Sequence, residues 1–106
     1  MHKKNIEATL KQGSLVMTKY LRFFVLKHEE DCVNICPIVS KKVFSKAVCR
    51  NTFKRVQRAL LRENKTKLPA GNLVVIANHS LSEVPNEQMY SISKKAWNRL
   101  LCSLTK

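Results

Sequence analysis

The sequence predicts an α+β sandwich, a small, mostly antiparallel sheet of about four strands with three helices, as one domain over residues 1–106. Three observations carry that expectation. Two runs of strand character lie close together, Tyr20–Leu26 and Val33–Val39. Long segments with helical spacing of apolar residues follow them, and a continuous apolar run, Leu73–Ala77, stands between those segments. With 106 residues, 44% of them hydrophobic, the chain can fill one modest core but not two. Two Gly and three Pro are too few for a collagen-like or low-complexity chain.

Taken in order, Asn5 to Lys11 reads as a short helix with Ile6 and Leu10 on one face, stopped by Gly13. Leu15 to Thr18 suits a short strand. Tyr20 to Leu26 is aromatic and β-branched and reads as a full one. His28-Glu29-Glu30-Asp31 is a charged turn. In the strand Val33–Val39, Pro37 cannot donate to a ladder, which places it at an edge or a bulge. A second helix is expected from Ser45 to Glu63. Ala47, Cys49, Phe53, Val56 and Leu60 read as its core stripe. At 100° per residue, Arg50, Lys54, Arg58, Arg62 and Lys65 share an arc of roughly 120°. Lys65 to Gly71 connects this helix to Leu73–Ala77, whose continuous apolar character suits a central strand. A third helix begins near Pro85 and carries Met89, Ile92, Ala96, Trp97, Leu100 and Leu104 as its apolar stripe.

Charge narrows the function. Twenty Lys and Arg against seven Asp and Glu give a net charge of +13. Such an excess points to nucleic acid first and an anionic membrane second. The strands around the basic region favour nucleic acid, and no apolar run is long enough to span a bilayer. The opening residues turn polar too early for a secretory signal, so a cytoplasmic protein is expected. Lys41 to Lys67 holds ten of the twenty basic residues and one acid, Glu63. A basic helical face is commonly just solvated. Here arginine supplies four helix positions, Arg50, Arg55, Arg58 and Arg62, with almost no acid to pair along the helix. That face repels itself unless an anion neutralises it, and guanidinium grips phosphate through two parallel hydrogen bonds.

Protein-borne catalysis is not expected. Asp31 is the only aspartate and sits beside Glu29 and Glu30, whereas metal-dependent nucleases gather acids from separate elements. A His–Glu pair at His28 would lie in a solvated turn with no pocket to tune it. Cys32, Cys36, Cys49 and Cys102 lack metal-ribbon or redox spacing and read as reduced thiols.

Ser40-Lys41-Lys42 and Lys46-Ala47-Val48-Cys49-Arg50-Asn51-Thr52-Phe53-Lys54-Arg55 resemble the signature of the bacterial ribonuclease P protein family. That family reads Ser-Lys-Lys, a short gap, then Ala-Val-x-Arg-Asn-Arg-x-Lys-Arg, and Arg58 and Arg62 match its later arginines. Asn5 to Gly13, Tyr20 to Leu26 and Leu73 to Ala77 resemble its first helix and two of its strands. The resemblance implies a βαβ crossover of unusual left hand. It implies that Lys41, Lys42, Lys46, Arg50, Asn51, Lys54, Arg55, Arg58 and Arg62 contact a catalytic RNA. It also implies a cleft, with Ile6, Leu10 and Phe24, for the single-stranded 5′ leader of precursor tRNA. Hydrolysis with Mg²⁺ would then belong to the RNA, with no protein or membrane partner required. Since neighbours on a strand face opposite ways, either Phe23 or Phe24 faces that cleft and the other the core. This chain departs from the pattern at Thr52 (where the triplet has Arg), at Ser45-Lys46, at Pro37, and at Ile6 and Leu10, often Phe in relatives. Two other readings share some of these features: another small basic RNA-binding protein, such as a ribosomal protein, and an autonomous nuclease.

Overall fold

The structure, a computed structural model, describes residues 3–27 and 32–104. The expected charged turn His28–Asp31 lies outside the described residues. Among the described residues three α-helices and four strands follow the order α1 (Lys3–Gln12), β1 (Ser14–Met17), β2 (Leu21–Lys27), β3 (Val33–Ile38), α2 (Ala47–Asn64), β4 (Gly71–Ala77) and α3 (Met89–Leu104). The strands form one sheet in the order β1-β2-β4-β3. β2 runs antiparallel to β1 and to β4, while β3 runs parallel to β4. Parallel neighbours need a long crossover, and α2 supplies it. The α+β class, the central place of Leu73–Ala77 and the edge place of Pro37 are as the sequence predicts.

Strand alternation divides the molecule. Leu21, Phe23 and Val25 pair with Ala77, Val75 and Leu73 and are buried on one face of the sheet. Phe53 and Leu60 of α2 and Ala96, Trp97 and Leu100 of α3 cover that face. Phe23 meets Trp97 edge-to-face, ring centroids 5.8 Å apart at 82°, a favoured aromatic geometry. Inside this core Trp97 Nε1 donates to Gln57 Oε1 at 2.7 Å, and Gln57 Nε2 donates to Ser93 Oγ at 3.0 Å. Each side chain satisfies the next, so an amide can be fully buried on an otherwise apolar stripe. Ala47, expected in that stripe, is instead exposed. It lies about 200° around the helix from Cys49, which places it among the cations.

The opposite face carries α1, which lies against β2 and β4. Thr9 is buried there, its hydroxyl donating to the Asn5 carbonyl at 2.7 Å. Gly13 ends the helix, its amide donating to the Thr9 carbonyl at 2.9 Å. A side chain at Gly13 would collide with that carbonyl oxygen, so glycine sets how closely α1 turns into β1. Pro85 precedes a short 3₁₀ turn, Asn86–Gln88, that feeds α3, so the third α-helix itself starts at Met89.

Candidate nucleic-acid interface

Two surfaces hold the residues singled out from the sequence, and the sheet separates them. α2 packs on the Phe23 side, whereas Ile6, Leu10 and Phe24 belong to the side that carries α1.

On α2, burial of Phe53, Gln57 and Leu60 turns the cationic arc to solvent. Asn51, Arg55, Arg58 and Arg62 are exposed and Lys54 is half-buried. Lys41 and Lys42 stand exposed on a turn before the helix. There the Val43 and Phe44 amides donate to the Ser40 carbonyl at 3.1 and 3.2 Å, and both side chains are buried. Lys46 is the extended residue that caps α2, at φ −84° and ψ 130°. Arg50 also works within the protein. Its Nη1 donates to the Phe44 and Ser45 carbonyls at 2.8 and 2.9 Å, clamping the entry to α2. Thr52 turns its hydroxyl back onto the Val48 carbonyl at 2.9 Å, a common bond for a mid-helix threonine. The departure at Thr52 therefore removes a cation, and its hydroxyl donates inward.

Glu63, the one acid of the basic segment, is engaged by α3. The Tyr90 hydroxyl donates to its two carboxylate oxygens at 2.5 and 2.7 Å. That hydrogen bond holds the phenol above its ordinary pKa, with desolvation and the carboxylate charge adding to it. The carboxylate ties α2 to α3 through a neutral partner.

On the other face, register decides what the sequence left open. Phe23 pairs with Val75 and is fully buried, while Phe24 pairs with Val74 on the α1 side and is half-buried. Cross-strand pairing adds residues that sequence reading missed. Leu15 lies opposite Phe24 and Met17 opposite Arg22, and both β1 side chains are exposed, at 50% and 58%. Leu15 and Met17 thus make an exposed apolar shelf on the Phe24 side of the sheet, and Leu10, 37% exposed, belongs to the helix packed on that side. Arg22 stands on the same face two residues from Phe24, its Nε shielded from solvent and without a hydrogen-bond partner. A four-residue strand with a polar start is a weak signal, and only its register shows which face its side chains join.

Among the described residues, no three His, Cys, Asp or Glu side chains gather into a group able to hold a metal ion. Likewise none of the described helices is long and apolar enough to cross a membrane.

Comparison with known proteins agrees with this architecture. The ribonuclease P protein component of Vibrio campbellii is 42% identical over 62 residues, covering 58% of this chain and 52% of that protein. The component from a Marinomonas species is 35% identical over 74 residues, 70% of this chain and 56% of that protein. The matched stretch thus spans about half the length of these curated relatives. The solved RNase P protein of Thermotoga maritima superposes with a TM-score of 0.78 at 26% identity, covering 93% of this chain and 90% of that one. The Staphylococcus aureus RNase P protein, at 22% identity, shares the fold with a TM-score of 0.81 over 92% of this chain and 90% of that one. The family model described as Ribonuclease P matches residues 1–101, and by that match the chain belongs to the ribonuclease P protein family.

Proposed function

We propose that this protein is the protein subunit of bacterial ribonuclease P, acting in the cytoplasm on precursor tRNA. In this reading the cationic face of α2 binds the catalytic RNA, and the shelf beside Phe24 receives the 5′ leader. The observation that carries it is the row of half-buried Lys54 and exposed Arg58 and Arg62 on a helix whose opposite stripe is locked in the core. Lys and Arg there offset the repulsion between two polyanions, and counterion release makes the affinity fall with salt. An apolar shelf with one aromatic ring accepts an unpaired base of any identity, which suits leaders of varied sequence. In this reading Mg²⁺-dependent hydrolysis of the phosphodiester belongs to the RNA. The protein's part is to hold leader and RNA together in the geometry for cleavage.

Lys54→Ala, Arg58→Ala and Arg62→Ala should each weaken binding to the catalytic RNA by about 1 kcal/mol. Each should also shallow the dependence of log affinity on log salt by about one unit. Titrations across a salt series check this. Wild-type affinity and slope in all three would reduce the helix face to a solvated surface. Arg50 is left out of this set because its clamp on two carbonyls mixes stability with binding.

A further inference from the structure

A second cluster of cations lies away from α2. Lys19, from the turn between β1 and β2, and Lys95 and Arg99, on α3, line one cavity of about 440 Å³ together with Tyr20, and no acid lines it among the described residues. Lys95 and Arg99 are four apart on one helix face, a like-charged pair that destabilises the helix unless an anion sits between them. By helix rotation they lie about 120–160° around α3 from Ser93 and Trp97, the residues that bond Gln57 of α2. The cluster is therefore separate from the α2 face.

Its third cation is held in place from elsewhere. The Lys19 carbonyl accepts from Ser80 Oγ at 2.5 Å and from Asn78 Nδ2 at 3.3 Å, while Asn78 Nδ2 also reaches the Thr18 carbonyl at 3.0 Å. These bonds fix the turn against the segment that follows β4. The Lys19 ammonium lies 5.2 Å from the centre of the Tyr20 ring, a cation–π contact that keeps it at the cavity wall. The cavity's volume exceeds what a bare ion needs and accommodates a sugar-phosphate unit.

We infer that Lys19, Lys95 and Arg99 form a second RNA contact, one that grips the phosphodiester backbone of the catalytic RNA. This rests on the reading that the protein's partner is that RNA.

The test compares Lys95→Ala/Arg99→Ala with a charge-matched control, Lys27→Ala/Lys94→Ala, by measuring catalytic-RNA affinity of the full chain across a salt series. All the replaced side chains are exposed, so each variant should fold, and relief of the Lys95–Arg99 repulsion should leave the cavity variant at least as stable as wild type. The cavity double variant should bind about tenfold more weakly, with a slope shallower by about one and a half to two units and well beyond the control. If it matches the control while Lys54→Ala and Arg58→Ala still respond, this contact is refuted and the RNA partner stands. If none of them responds, both readings fail. Inorganic phosphate provides the remaining arm. A phosphate-induced rise in melting temperature that the double variant loses, with the RNA slope unchanged, would make this a free-anion site and overturn the inference.

Discussion

Phe23→Ala should destabilise the protein by about 3–5 kcal/mol, the usual cost of emptying a fully buried aromatic site. The ring has no exposed surface, sits opposite Val75 and meets the Trp97 edge, so its loss leaves a cavity between the sheet and α3. Trp97 also anchors Gln57, and movement of the indole would strain the Gln57–Ser93 bond behind it. Urea denaturation measures this directly. Phe24→Ala, next along the strand, should cost roughly 1 kcal/mol because its ring is only half-buried. Equal losses at the two positions would mean that the assigned strand register is wrong.

Phe24→Ala should instead weaken the assembled enzyme's hold on precursors with a leader of several nucleotides by about 1–3 kcal/mol. A precursor with one leader nucleotide should bind as before, since its leader cannot reach the shelf. The expectation follows from the placement of Phe24 opposite Leu15, on the face that carries Met17 and against which α1 packs. Equilibrium binding with a ladder of leader lengths is the measurement. A uniform loss at every length would remove the leader role from this face.

Much of the fold was legible because its signals are local. Gly13 ends α1, the aromatic and β-branched run makes β2, and the apolar run makes β4 at the sheet's centre. The cationic arc of α2 was legible too, since helix rotation alone brings Lys54, Arg58 and Arg62 together. What stayed hidden depends on partners distant in sequence. Gln57 is polar by composition, and only its bonds to Trp97 and Ser93, 40 and 36 residues away, offset the cost of its burial. The choice between Phe23 and Phe24 needed the β2–β4 register, and Leu15 and Met17 needed that of β1 with β2. Arg50 reads as one more cation until the loop before α2 brings two carbonyls to it.

Reconstitution tests the central claim most directly. Purified protein, catalytic RNA from the same bacterium, and the two combined are each assayed on precursor tRNA at low Mg²⁺. The account predicts no cleavage by the protein alone, weak cleavage by the RNA alone, and a marked rise for the complex, with cuts at the mature 5′ end. RNA-free protein that makes that cut, or a complex no faster than its RNA, would contradict it.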